Sequence, residues 1–398
     1  MKIAIPESRF VRNKSLVYDN GIFSWERSIP KDSLVIGEPN HPQSINSIFE
    51  IFQKSEPELI EKNVLKSFEV LGVNKNKIPI DAVQDSKQML ATIQDIFKVS
   101  EGVISEIEDL GYLDTFILCN KTLDRVGRAQ FDSNKLKNNL RSANFKNSSV
   151  IRTFKTDKAG FLRKPQYSLT KTTTGRMTIS SGPQILTAPK YFRDYFRSAY
   201  ENGVIAQIDF VSLEPRVGIH FSNKSSQSDV YEYLMGKLFQ EKVPRSLMKK
   251  IVLCCAYGAS PRTLRKSLPP GYNTNSIISK TKSILNFEEI VKEQNQNLEK
   301  FGYIKNFFGR PIYPQDHRDT LLYNNFIQST AVDVALLGFS KILDKSEKMK
   351  INPLFFIHDA MIIDIHPAEV EKFKEISKFV EINNLGKFPL EFTVLGDN

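Results

Sequence analysis

Three groups of residues combine types and spacing that suit one chemistry. The first is Asp209-Phe-Val-Ser-Leu-Glu214-Pro-Arg216, at the end of the apolar run GVIAQID. A carboxylate where a buried strand ends is held rigidly yet exposed at the sheet edge, and its oxygens suit a hard divalent cation. The plainer alternative is a strand-terminating Asp followed by Ser212 as a helix N-cap. The second group is Arg245, Lys249, Leu253 and Tyr257, spaced four apart. On a helix these drift only about 40° per step and form one stripe. Two cations followed by an aromatic could grip a triphosphate and stack on a base; an ordinary amphipathic helix is the alternative. The third is His358-Asp359, set between LFFI and AMIID. An Asp among apolar residues is costly to bury unless something pairs with it, either a metal shared with Asp209 or hydrogen bonds within a turn. Two carboxylates with a cationic helix between them in sequence are the parts of two-metal phosphoryl transfer.

These residues need particular elements to hold them. The run at 203–209 predicts a short buried strand. Residues 244–257 predict a helix, with Pro244 at its start and Gly258 at its end. Further helices are predicted over 86–110, 132–142, 286–301 and 320–345, and 353–365 predicts a tight β-hairpin with a charged tip. The segment 146–190, rich in Thr, Ser, Lys and Pro, predicts strands and loops. Residues 1–80 mix short apolar runs with Pro and Asn and carry no motif that points to a function. No internal repeat or low-complexity tract occurs.

Composition narrows the class. The 398 residues predict two or three domains, and 40% hydrophobic with 25% charged residues is a globular balance. No run approaches 18 apolar residues, so no membrane span is expected. MKIAIPESRF lacks an apolar signal core, and three cysteines make neither a disulfide framework nor a zinc site, so a reducing, cytoplasmic setting is expected. The net charge is +10 with a pI near 9.2. Between Arg141 and Tyr200 stand twelve basic and two acidic residues, an excess equal to that of the whole chain. With Phe154, Phe161 and Tyr167 among the cations, this stretch suits a polyanion such as a nucleic-acid backbone, or else is a solvated basic face.

From about residue 172 onward the chain resembles the A family of DNA polymerases, the bacterial polymerase I type. Thr174-Gly175-Arg176 with Ser180-Ser181 and Pro183 is similar to the family's TGR-SS-P segment, with one extra residue. Asp209 to Ser222, with Glu214, Arg216 and His220, resembles motif A. Arg245-x3-Lys249-x7-Tyr257-Gly258 resembles motif B. Gly302-Tyr303 through Phe308-Gly309-Arg310 and Tyr313, then Asn324-x3-Gln328-x4-Asp333, then His358-Asp359 of motif C, follow in the family's order.

The resemblance implies an α+β, right-hand polymerase fold: a thumb, a palm of antiparallel sheet backed by helices, and helical fingers. It implies an N-terminal region of unassigned role (1–80), a thumb-like helical region (81–150), palm (151–225 and 311–398) and fingers (226–310). It implies that Asp209 and Asp359 ligate two Mg²⁺ ions, that Arg245 and Lys249 hold the phosphates of a dNTP, and that Lys249 protonates the leaving pyrophosphate. Tyr257 then packs beside the nascent base pair, and Glu214 fills the space a ribose 2′-hydroxyl needs. Arg176, Asn324 and Gln328 reach the minor groove of primer–template DNA, and His358 lies near the primer-terminal phosphate. Ala360 stands where motif C carries Glu, and Leu253 and Cys254 replace an aromatic and a Gly on the fingers helix.

No Asp-x-Glu occurs in the chain, so a compact enzyme without proofreading is expected, acting as a monomer with or without replication accessory proteins. Size and a Lys/Asn/Ile-rich composition suggest a viral or mobile-element origin, hence a host cytoplasm. A single-subunit RNA polymerase shares the two Asp and the cationic helix but carries small residues at Glu214; a catalytically inactive nucleic-acid-binding homologue is the second alternative.

Overall fold

The computed structural model describes residues 2–39, 41, 43–74, 78–142, 148–221, 229–258 and 261–395; for 138–142, 148, 257 and 263 it describes the backbone alone. The chain divides into two units, Met1–Lys121 and Thr122–Asn398.

The first unit holds a sheet that the reading of residues 1–80 passes over. Strands β1 (Lys2–Ile5), β2 (Ser15–Asp19), β3 (Ile22–Glu26) and β4 (Ser33–Val35) lie in the order β3-β2-β1-β4. β1 runs antiparallel to β2 and parallel to β4. Asn20 and Gly21 turn β2 into β3, both with positive φ (48° and 87°), the conformation that makes Asn-Gly a hairpin signal. Helices α1 (Asn46–Ile51), α2 (Lys62–Val70), α3 (Ser86–Asp109) and α4 (Leu113–Asp124) follow. Asp85 caps α3 by accepting from the backbone N–H of Lys87 and Gln88, and Ile93, Ile96, Phe97, Val103, Ile104 and Ile107 form its buried stripe.

The second unit begins with short elements: β5 (Gln130–Phe131), α5 (Ser133–Ser142), α6 (Ser148–Ile151), β6 (Gln166–Ser168), β7 (Thr178–Ser181) and β8 (Phe196–Arg197). Strand β9 (Val204–Phe210) then leads into α7 (Leu213–His220), α8 (Val230–Leu238), α9 (Arg245–Tyr257), α10 (Pro261–Arg265), α11 (Thr274–Ile284) and α12 (Phe287–Phe301). The chain ends through β10 (Ile304–Lys305), β11 (Pro311–Ile312), α13 (Asp319–Lys345), β12 (Ile351–Ile357), β13 (Ala360–Ile365), α14 (Val370–Ile376), β14 (Phe379–Ile382) and β15 (Gly386–Val394).

A five-stranded sheet in the order β12-β13-β9-β15-β14 organises this unit, and every pairing in it is antiparallel. β9 is its central strand, flanked on both sides, which is why VIAQIDF reads as nearly continuous apolar sequence. Side chains alternate across the sheet. Phe356 meets Phe339 of α13 on one face (ring centroids 5.5 Å), while the adjacent Phe355 meets Phe196 on the other (5.1 Å). Gly338 lets α13 approach closely: a Cβ there would come within 2.7 Å of the Phe210 ring. α13 is long and apolar enough to cross a bilayer, with a mean hydropathy of 1.4, but 78% of that stretch is buried inside the protein.

The opposite face of the sheet is covered by a cluster that includes Phe131, Phe154, Phe192 and Phe196. This corrects one expectation about the basic stretch. Phe154 is core, 4% exposed. The Tyr167 hydroxyl donates to the Phe356 carbonyl (3.0 Å) and accepts from the Phe356 N–H (2.9 Å), closing part of the free edge of β12. Burial raises the Tyr167 pKa. Among the described residues, Phe161 is the one of the three aromatics with a cation, Arg128, over its ring. Apolar surface is worth more in this core than between lysines.

Candidate active site

Asp209 sits at the end of the central strand, paired in register with Ala360 of β13 on one side and Glu391 of β15 on the other. Residues 358 and 359 form a two-residue turn between β12 and β13. His358 occupies it with φ 54°, in the left-handed region. The Phe210 N–H donates to the Asp359 carbonyl (3.1 Å), so the ladder runs on to the tip of the hairpin. Asp209 thereby lies at the end of the central strand beside the turn that carries Asp359, with Ala360 as its register partner.

Both carboxyls carry costly charge. Burial, then the charge of Asp359, pushes Asp209 up to about 6, against opposing contributions from Arg193 and a hydrogen bond from Gln207. Burial is also the main cause raising Asp359, with the Glu214 charge adding to it. Partly buried negative charge of this kind is what a divalent cation relieves. Among the described residues no group of three His, Cys, Asp or Glu side chains could hold a metal. Two carboxylates without a protein cage fit Mg²⁺, which keeps waters and takes its other ligands from substrate phosphates.

The chain leaves β9 through Val211 and Ser212 and enters α7. Ser212 stands at the N-cap with φ 55° but makes no side-chain capping bond, so the capping role open to it in sequence is not taken up. Glu214 lies in the first turn, where Arg176 donates to its Oε1 (2.8 Å). Arg176, Ser212, Glu214, Tyr231, Gln328, His358 and Asp359 line a cavity of about 350 Å³. Arg216 and His220 are buried. His220 packs on Phe388 (5.1 Å), and its Nε2 lies 3.3 Å from the Lys387 carbonyl, anchoring α7 to β15.

Helix α9 runs as predicted, capped by Gly258 at φ 69°. Leu253, half exposed, lines a smaller cavity of about 70 Å³ with Glu214, Tyr231, Ala256 and Asn324. Lys249 is exposed one turn before it. The Tyr257 side chain lies outside the described residues. Arg245 is already engaged: its Nε and Nη2 both reach Asp229 Oδ2 (3.3 and 3.2 Å), and its guanidinium lies 4.7 Å from the Tyr231 ring centroid. Asp229 uses its other oxygen to cap α8 at the N–H groups of Tyr231 and Glu232. A capping Asp before VYEY is legible in sequence; its pairing with a cation sixteen residues on is not.

On α13, Gln328 donates to Asn324 (2.9 Å), placing both amides one turn apart near the cavity. Below them Asp333, 1% exposed, accepts from Asn306 (2.6 Å). Asn306 in turn accepts from the N–H groups of Phe308 and Arg310. The Arg310 guanidinium donates to the Leu169 carbonyl (2.7 Å) and lies directly beneath Gly175. Gly175 has φ 75° and no room for a Cβ, so it sets the turn that presents Arg176. The predicted residues Arg176, Glu214, Gln328, His358 and Asp359 therefore share one cavity, with Asp209 beside Asp359 on the ladder. Tyr231, Asp229, Gln207 and Arg193 are additions that sequence reading missed.

Residues 131–394 match the model of DNA polymerase family A. The thermostable DNA polymerase I of Thermus aquaticus is 23% identical over 247 residues, 54% of this chain and 29% of that protein, so less than a third of the relative's length is spanned. Among solved structures, the POL domain of Pol1 from M. smegmatis, in complex with DNA primer-template and dNTP, matches with a TM-score of 0.61 at 12% identity. That match covers 96% of this chain and 92% of the other, a likeness of fold. With about two-thirds of its length matched by the family model, in an α+β fold shared with a polymerase domain, this chain belongs to DNA polymerase family A.

Proposed function

We propose that this chain is a template-directed DNA polymerase that adds deoxynucleotides to a primer 3′-hydroxyl, without a proofreading activity of its own. The observation that carries the reading is the register of β9 against β13, which sets Asp209 beside the Asp359 turn. The same sheet would be the palm, α8 to α12 the fingers, and α3 to α5 a thumb.

Asp209 and Asp359 would hold two Mg²⁺ ions, which when bound acidify the primer hydroxyl and neutralise triphosphate charge. Arg245 and Lys249 grip the phosphates, and Lys249 gives a proton to the departing pyrophosphate. Tyr257 packs beside the new base pair. Arg245 meets this task preorganised by Asp229 and Tyr231, so it loses little side-chain freedom on binding. Glu214 fills the volume of a 2′-hydroxyl. Arg176, Asn324 and Gln328 donate to minor-groove acceptors, which are common to all correct pairs, and His358 lies against the primer-terminal phosphate. Arg176 must then leave Glu214 or share it with DNA, a modest cost for a pair this exposed. The substrates are primer–template DNA and dNTPs, and the chain acts as a monomer in a cytoplasm, the host's if the enzyme is viral.

Extension of a labelled primer with Mg²⁺ tests the assignment. Asp209→Ala and Asp359→Ala should each lower the rate by more than roughly a thousandfold while DNA affinity stays within a fewfold; retained turnover removes the metal assignment. No extension by the wild-type chain on several primer–templates would instead favour the inactive homologue. Glu214→Ala should raise ribonucleotide incorporation by at least about tenfold. Wild-type preference for ribonucleotides would establish the RNA polymerase reading in its place.

A further inference from the structure

Behind Asp209, on the side away from Asp359, lies a relay that the mechanism above does not use. Gln207 precedes Asp209 by two residues on β9, so both side chains project from one face of the sheet. The Gln207 Nε2 donates to Asp209 Oδ2 (3.3 Å), and Arg193 donates to Gln207 Oε1. Arg193 comes from the turn before β8, is half-buried, and shares its positive field with Asp209.

The direction of these bonds matters. An amide can present either its oxygen or its NH₂ group. Arg193 has no acceptor, so it commits the Gln207 oxygen to itself and turns the NH₂ toward the carboxylate. Without Arg193 the amide is free to flip and set its oxygen against Asp209. The carboxylate would then lose a donor and gain a repulsive neighbour, next to Glu391 across the strand.

We propose that Arg193 and Gln207 are positioning residues acting in series: Arg193 fixes the orientation of the Gln207 amide, and that amide holds Asp209 Oδ2 so that Oδ1 faces the divalent cation. This inference rests on the reading of Asp209 as a metal ligand. Supporting groups of this kind are typically worth 10–100-fold in metal affinity or rate.

The test is titration of Mn²⁺ into the full chain bound to a dideoxy-terminated primer–template, followed by the electron paramagnetic resonance signal of free Mn²⁺, alongside steady-state extension with Mg²⁺. Gln207→Leu should weaken Mn²⁺ binding about tenfold and lower kcat similarly, with KM for dNTP within about twofold of wild type. Arg193→Met should weaken it by a smaller factor, and Arg193→Lys should recover most of that loss. The double variant should be no weaker than Gln207→Leu alone, because the two groups act through one bond. Additive losses would overturn the series arrangement. Wild-type Mn²⁺ affinity in Gln207→Leu, whatever its melting temperature, would overturn the positioning role. If Asp209→Ala binds Mn²⁺ as wild type does, the metal assignment fails first, a result separable from the other two.

Discussion

Asp209 is placed where ionisation costs stability. Its carboxyl titrates near 6 in the folded chain against an ordinary value of 3.8, with burial as the leading cause. The folded state therefore binds this proton more tightly than the unfolded state, and stability falls as pH rises from about 4 to about 6. Above that window the full penalty remains, on the order of 1–2 kcal/mol once solvent screening at a half-buried site is allowed for. Asp209→Asn removes the ionisation. In EDTA at pH 7.5 the variant should melt about 1–3 °C above wild type, and at pH 4 the gain should vanish. Calorimetry at both pH values checks this, and a variant no more stable at pH 7.5 would refute the cost of burying this charge. If Asp209 holds a divalent cation as proposed, that role comes at this cost in stability.

At the scale of elements, the loop 172–176 is as constrained as any helix. Gly175→Ala would force φ 75° on a residue with a Cβ, at about 1–2 kcal/mol, and would push that Cβ into the Arg310 guanidinium. We expect a lower melting temperature together with weaker primer–template binding, read by fluorescence anisotropy, because Arg176 is displaced with the loop. Unchanged DNA affinity would show that this turn does not place Arg176. Such contacts mark the boundary of what sequence displays. Asp209, α9 and the His358-Asp359 hairpin were legible because their signals are local: a strand run, a proline-to-glycine helix, two apolar runs around a charged tip. Arg310 under Gly175, Tyr167 on the Phe356 backbone and Arg245 on Asp229 join residues 16 to 189 positions apart, and no periodicity encodes them. The Asn20-Gly21 hairpin is a local signal too, but its flanking strands carry no residues that point to chemistry. Phe154 and Tyr167 misled for a related reason, since a one-dimensional reading cannot tell an aromatic among cations from one buried beneath them.

For the molecule as a whole, the charge of +10 acts on association more than on folding. DNA affinity should fall steeply with salt, roughly a thousandfold between 50 and 200 mM if about six phosphates are contacted. A flat response in a binding assay across that range would remove the basic stretch 141–200 as the DNA grip. The five-stranded sheet contributes something different. Asp209 is a rung of the ladder and Asp359 sits in the turn that begins at the next one, so the ladder's register sets how the two stand to each other. Adding or deleting a single residue within β9 would send one carboxylate to the far face of the sheet instead of nudging it. A substitution along these strands changes one side chain at a time, whereas a change in strand length would part the two carboxylates at once.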